Sequence, residues 1–321
     1  MLKYVVRRVL YMVIAFLAVS LVTYFLMKAA PGSFLAFNQF LGGITAASIN
    51  LGVTQQLMQE LVKEYHLNSP WYVQWWSYVW NFLSLHMGAS FEYPNTPTLS
   101  LIRQTFPISV GLALMSITVA TVLSIIAGVV AAVRENTWVD RGTMLVAILG
   151  TAIPAYVIAV FLMLVFGVWL HWLPVLGFKG IQYYVLPVLS LALPMIGSMG
   201  RYMRNSLMET LHSEYIVTVY AKGGSLKNVV FGHGLRNSLL PLITVVGPQL
   251  ASLMMGTVFI ENMFGIPGMA HLFTTAASMR DYPLIMDSTL LYALVIMGMN
   301  LIVDLVYGFL DPRIRKTGYA G

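Results

Sequence analysis

Charged residues interrupt this chain so rarely that the gaps between them read as structural elements. Val9 to Met27 is uncharged between Arg8 and Lys28, and its 19 residues, at about 1.5 Å each, nearly match a bilayer core about 30 Å thick. That predicts a first membrane-spanning helix. A secretory signal has a shorter apolar region, about 7–15 residues, and Pro31 follows Ala29-Ala30 where cleavage would fall, so the expectation is an uncleaved span. No charge occurs between Arg103 and Arg134, and Ile108 to Val133, after Pro107, is a second span. Gly142 to Leu170 is a third, carrying Gly150 and Pro154, which membrane helices tolerate when neighbours re-satisfy the freed backbone groups. Tyr183 to Met199 holds Pro187 and Pro194 and is expected to be kinked or tilted. Ser238 to Ile260 is a fifth span, and Met286 to Leu310 a sixth that contains Asp304 and starts beside Asp287. These runs are long and unbroken, so the expected spanning element is the helix and not an alternating barrel strand.

An even number of spans puts both ends on one side. Thirteen of the 18 Lys and Arg residues fall in the N-terminus, the loops after spans two and four, and the tail; Lys28, Lys63, Arg103, Lys179 and Arg280 are left opposite. Basic residues collect on the cytoplasmic side of spans, so both termini are expected there. The same asymmetry accounts for the net charge of +6 without nucleic acid. With 58% hydrophobic and 9% charged residues, against about 45–50% and 25% in soluble domains, the 321-residue chain is neither a water-soluble globule nor disordered. The absence of cysteine removes disulfides, thiolate nucleophiles and Cys-ligated metals together.

Two connections are long. The external one, 31–103, is rich in aromatic residues (Trp71, Tyr72, Trp75, Trp76, Tyr78, Trp80, Phe82) that lie at the headgroup level or build a small folded cap. In the cytoplasmic one, 201–236, Ile216, Val219 and Tyr220 recur at helical spacing, Gly223-Gly224 interrupts, and Leu226, Val229 and Val230 recur again. Two short amphipathic helices about a glycine hinge are expected, either to receive a partner or to lie on lipid beside Lys222 and Lys227. Short repeats and low-complexity tracts are absent from the sequence.

Chemistry is sparse. The sequence has no G-x-x-x-x-G-K-[ST], no H-E-x-x-H among its six His and no G-x-S-x-G. Asp287 and Asp304 are 17 positions apart, about 25 Å along one helix and about 100° off a shared face, so they cannot form a proton-sharing pair. They are expected to mark the ends of span six, with Asp304 facing protein or a wet cavity. An ion-coupled secondary transporter is the rival reading, but spans one, two, three and five carry no Asp, Glu, Lys or Arg in their interiors. Pro154, Pro194 and Asp304 remain candidates for a path or gate. Energy is expected from a partner.

The stretch Glu214 to Pro241, EYIVTVYAKGGSLKNVVFGHGLRNSLLP, resembles the cytoplasmic motif of ABC importer permeases, in the version of the first permease of the oligopeptide, dipeptide and nickel group. Further matching pieces follow in order: RRVLYM at Arg7, KAAPG at Lys28, YHLNSPWYVQW at Tyr65, FGIPG at Phe264, RDYP at Arg280 and DPRI at Asp311. The generic E-A-A-x-x-x-G pattern is incomplete: Gly223 fits, Val217, Thr218 and Val219 replace E-A-A, and His233, Leu235 and Arg236 stand where Ile, Leu and Pro would be. PGSF at Pro31 replaces the group's frequent PGDP.

The resemblance implies an all-α integral membrane protein with six transmembrane helices and the type I ABC importer permease fold, in a bacterial cytoplasmic membrane. It divides the chain into a terminus and first helix (1–30), an external segment (31–103), a five-helix permease core (104–310) with the coupling segment 201–236, and a cytoplasmic tail (311–321). It implies a peptide path shared with a second permease, driven by two ABC ATPase subunits that hold ATP and Mg, and supplied by an extracellular or periplasmic peptide-binding protein. This chain would bind no cofactor, metal or nucleic acid, would catalyse nothing, and would contact the lipid bilayer. A nickel or other small-solute cargo is the alternative within the group. The implied coupling residues are Glu214, Tyr215, Tyr220, Ala221, Lys222, Gly223, Gly224, His233, Arg236 and Asn237, with Lys222 and Arg236 meeting acidic or carbonyl groups of the ATPase.

Overall fold

A computed structural model of the chain describes residues 2–30, 62–63, 65–66, 68–93 and 96–310. The described residues are helical apart from turns and one isolated bridge between Ala89 and Pro97. In chain order the helices are α1 (Leu2–Ala29), α2 (Trp71–Leu83), α3 (Thr98–Val133), α4 (Trp138–Ala152), α5 (Ala155–Leu162), α6 (Gln182–Leu211), α7 (Glu214–Ala221), α8 (Leu235–Phe264), α9 (Met269–Met279) and α10 (Tyr282–Leu310). A π-helical stretch, Met163–Trp169, continues α5, and another, Asn228–Gly234, leads into α8. The PGSF and DPRI sequences, at Pro31 and Asp311, lie outside the described residues.

Among the described residues, four helices are long and apolar enough to cross a membrane unaided: Val5–Ala29, Thr98–Val133, Gln182–Leu211 and Tyr282–Val303. Two bent pairs pass the same test, α4 with α5 and its continuation at 106°, and 228–239 with 241–254 at 48°, which makes six if each pair is one span. The expectation of one unbroken third span is therefore corrected. Ile153 and Pro154 both take extended backbone, and α5 starts afresh at Ala155. Proline disfavours helical geometry in the residue before it and lacks the N–H that would continue the ladder. Thr151 to Pro154 are exposed, so no packing holds the helix together there. Pro187 and Pro194, which carry the same handicap, stay inside a continuous α6 whose buried face includes Leu186, Leu191, Ala192 and Met195.

The chain forms two compact units. The first comprises 1–109 and 267–297. In it α2 runs against the outer half of α1: Phe25 meets the ring of Trp71, Ser20 accepts the Trp75 indole N–H at 3.0 Å, and Phe16 meets Phe82. Tyr24 donates to Gln74 at 3.0 Å, and Gln74 donates on to the Ser69 carbonyl. The face 74, 75, 78, 79 and 82 turns inward at helical spacing, while Trp71, Tyr72, Trp76 and Trp80 are exposed. Tyr65 stacks on Tyr78 and takes the edge of Phe91, closing an aromatic core with Ile102, Met286 and Leu290. Burial, and next the charge of Asp287, hold the Tyr78 phenol well above its ordinary pKa.

Asp281 organises the rest of this unit. Arg280 ends α9 in the left-handed region, and Asp281 then caps α10, accepting the Leu284 N–H at 3.2 Å. It also accepts the Ser90 hydroxyl and, at 3.2 Å, the Glu92 N–H, which ties residues 90–92 to the start of α10. Asp287, expected as an end marker, is buried and accepts the Thr98 hydroxyl at the start of α3.

The second unit comprises 110–266 and 298–321. Its centre is α6, against which α4, α5 and α8 pack. Lipid gives helices no hydrophobic reason to associate, so close approach of small residues must bring them together. Gly197 of α6 lies so near the Ala147 carbonyl of α4 that a Cβ would strike the backbone, and Gly128 of α3 faces Met203 and the Gly200 carbonyl. At the far end of α8, Gly265 takes φ 63° and the Ile266 N–H returns to the Glu261 carbonyl at 2.9 Å, a left-handed stop that only glycine adopts cheaply. An open apolar groove of about 480 Å³ lies between α3 and α6, lined by Leu114, Met115, Tyr184 and Val188 among others.

Candidate coupling site

The candidate coupling segment begins where α6 stops. His212 caps α6, and Ser213 opens α7 with extended backbone, its hydroxyl donating back to the Thr210 carbonyl. Glu214 stands exposed in the first turn of α7, where a carboxylate suits the helix dipole. Ile216 is fully buried and anchors the short helix, while Val217 and Tyr220 point outward. Eight residues are too few for a stable free helix, so its tether matters.

The helix ends on glycine for a geometric reason. The Gly223 N–H donates to the Tyr220 carbonyl at 2.9 Å and the Gly224 N–H to the Val219 carbonyl at 3.0 Å, the paired bonds of a Schellman stop. Gly223 takes φ 83° in open space, and a Cβ on Gly224 would come within 2.8 Å of Val219. Gly223 is thus a helix terminator whose other side is left unfilled.

The second half of the expected pair differs from a separate short helix. From Leu226 the chain passes through Asn228–Gly234 into α8 without a stop. Val229 and Val230 are buried, and Gly234 sits 3.0 Å, measured from where a Cβ would stand, from Leu207 of α6. The Ser238 hydroxyl donates to the Gly234 carbonyl at 2.8 Å and lies 3.1 Å from the Thr210 hydroxyl. The foot of α8 is therefore packed on the end of α6, and packing carries the helix through where periodicity alone predicts a new element.

Of the residues named from the sequence, Tyr215 and Asn237 are brought together, the Asn237 amide donating to the Tyr215 hydroxyl at 2.7 Å. Ala221, Lys222, Gly223, His233 and Arg236 are exposed, and Gly224 is half-buried. Phe231, 60% exposed, was not among them, and Leu226, expected on one face with Val229 and Val230, is instead 52% exposed; both add apolar surface to that of Val217 and Tyr220. For Phe231 the signal was a hydrophobic position off the Val229 and Val230 face. Pro154 lies at the α4–α5 break and Pro194 within α6, both away from this segment in the chain. The side chain of Asp304 lies outside the described residues. No cluster of three or more His, Asp or Glu able to hold a metal occurs among the described residues.

Sequence reasoning also missed an ion pair. Arg204 of α6 donates from Nε and Nη2 to the two carboxylate oxygens of Asp140 at 2.5 and 2.6 Å. Both charges are conspicuous in so apolar a chain, but nothing in the sequence pairs positions 64 apart.

A helical membrane protein with this arrangement has the fold of a type I ABC importer permease. Similar architecture is found in the inward-facing MetNI methionine ABC transporter, at a TM-score of 0.55 and 15% identity over 68% of this chain and 99% of that one. An amino acid ABC transporter matches at 0.51 and 9% identity, over 64% and 92%. The chain belongs to the family of binding-protein-dependent transport system inner membrane components, which it matches over residues 120–316. It is 35% identical to the oligopeptide transport system permease protein OppB of Haemophilus influenzae, over 98% of this chain and all of that one. Identity to OppB of Escherichia coli K12 is 34% over the same shares, and to the dipeptide transport system permease protein DppB of Bacillus subtilis 34% over 98% of each. The protein is accordingly a multi-pass component of a bacterial inner membrane, and its fold implies a partner permease and separate ATPase subunits.

Proposed function

We propose that this chain is the first permease subunit of an ATP-driven importer of oligopeptides or dipeptides. The observation that carries the reading is likeness over nearly the whole length to relatives named as oligopeptide and dipeptide permeases, extending to the peptide-group version of the coupling segment. An exposed α7 with Val217, Tyr220, Lys222 and the unfilled side of Gly223 offers a groove-fitting element with an apolar centre and basic rim. ATP and Mg are held by the two ATPase subunits, and this chain is not an enzyme. A peptide-binding protein on the outer side supplies the cargo and most of the selectivity, so the path need only be apolar and tolerant.

The test is uptake of labelled peptides by liposomes holding the complete transporter, with and without ATP. ATP-dependent uptake is expected. Uptake by this chain alone under an ion gradient would refute the reading in favour of a secondary transporter, and ATPase activity stimulated by nickel and indifferent to peptides would change the cargo.

A further inference from the structure

The turn between α3 and α4 is fastened to α6 just ahead of the coupling helix. Asp140, in the first turn of α4, is 3% exposed and receives the Arg204 guanidinium at two points. Its Oδ2 also accepts the Asn136 N–H at 3.0 Å, closing a turn in which Asn136 takes φ 60°. From the same turn Glu135 stands 3.6 Å from His212, the residue that caps α6. A carboxylate on a guanidinium fork fixes angle as well as distance, unlike a single hydrogen bond or a lysine contact.

Further along the two helices the contact is just as intolerant of sliding. A Cβ on Gly197 would strike the Ala147 backbone, and one on Gly150 would stand 3.1 Å from the Leu193 carbonyl, a tight fit. On another side of the same α6 end, Leu207 and Thr210 hold Gly234 and Ser238 at the foot of α8. The last turns of α6 thus join the α3–α4 turn, α4 and α8, and the chain leaves them directly into α7. An ion pair buried on the Asp140 side and half-buried at Arg204 is weak as a source of stability, since desolvation offsets much of its attraction. Its value here is geometric.

We propose that Asp140 and Arg204 are positioning residues for coupling: they make α4 and the end of α6 move as one body with α7. Displacement of α7 then reaches α4 and its break at Pro154 instead of being absorbed by bending of α6. The inference rests on the reading of the chain as an ATP-driven permease subunit.

Two measurements on the complete transporter in liposomes test it. First, peptide uptake per ATP hydrolysed is compared among wild type, Asp140→Asn, Arg204→Gln and the exchange Asp140→Arg with Arg204→Asp. The expected loss in each single variant is about fivefold or more, the low end of coupling between sites, with ATP hydrolysis retained and partial recovery in the exchange, which restores the charge pair but not the Asn136 bond. An unchanged ratio in both single variants, or parallel loss of hydrolysis and uptake that the exchange does not repair, would overturn the proposal. Second, because the chain has no cysteine, spin labels are placed at the exposed Trp138→Cys and Tyr202→Cys. One narrow distance is expected with and without trapped ATP, broadening in Asp140→Asn. A distance that shifts between nucleotide states with the ion pair intact would overturn the proposal, and this reading stands whatever the cargo, so failure of peptide uptake in wild type would count against the peptide reading alone.

Discussion

Asp281 and Glu214 each stand at the start of a helix, and the two places are built on opposite terms. Asp281 is fully buried and collects the Leu284 N–H, the Ser90 hydroxyl and the Glu92 N–H. Glu214 is exposed, the capping Ser213 before it makes no side-chain bond to the helix it opens, and the surface beyond is apolar. A region whose polar groups all find partners within it has its shape settled by the fold. One that leaves an anchored helix, a stop at Gly223 and uncovered apolar side chains to the outside has a surface available to another molecule. The largest expected effect therefore lies in the buried place. Asp281→Ala should lower the stability of the purified transporter by about 2–4 kcal/mol, from a lost cap and two donors stranded without an acceptor. Its thermal unfolding midpoint should fall, with ATPase binding normal wherever the protein remains folded. An unchanged midpoint would erase the contrast.

The exposed place should respond the other way. Gly223→Trp introduces a side chain where φ is 83° and the space is open, so the strain is limited to about 1–2 kcal/mol within a short surface helix. Membrane insertion and the thermal midpoint should be nearly unchanged, while co-purification of the ATPase subunits falls steeply. Normal complex formation and transport would count against the segment as the docking site.

How much of this was legible beforehand follows the same division. Long apolar helices are written in the gaps between charges, and α1, α3 and α10 contain the expected runs because lipid demands them residue by residue. Helix α7 was legible because Ile216, Val219 and Tyr220 obey helical spacing and Gly223 stops it, although Tyr220 turns outward instead of joining the buried Ile216. What escaped depends on neighbours distant in sequence. Pro154 breaks a helix and Pro194 does not, and the difference is the packing around α6, which a proline's own chemistry does not contain. The merging of 226–234 into α8 depends on Gly234 lying against Leu207, and the Asp140–Arg204 pair on α4 folding back along α6. The acids at 281 and 287 were visible, but their partners Ser90 and Thr98 are ordinary polar residues in a loop and a helix start, with nothing local to mark them.

The smallest effect sharpens the contrast from inside the buried region. Burial, and then the negative charge of Asp281, push the Glu92 carboxyl above its ordinary pKa. The native protein thus holds this proton more tightly than the unfolded chain does. Below the unfolded pKa both states are protonated and Glu92 costs nothing; as pH rises through the ordinary glutamate range toward the raised native value, the unfolded state ionises first and stability falls. Glu92→Gln should remove that decline, making the variant slightly the more stable at neutral pH and indistinguishable from wild type in acid. Because Glu92 is only partly covered, solvent screening keeps the difference under about 1 kcal/mol. Thermal midpoints of both proteins across this range measure it, and a variant that is less stable at neutral pH would mean that the carboxylate is held by an attraction outweighing its burial and its acidic neighbour.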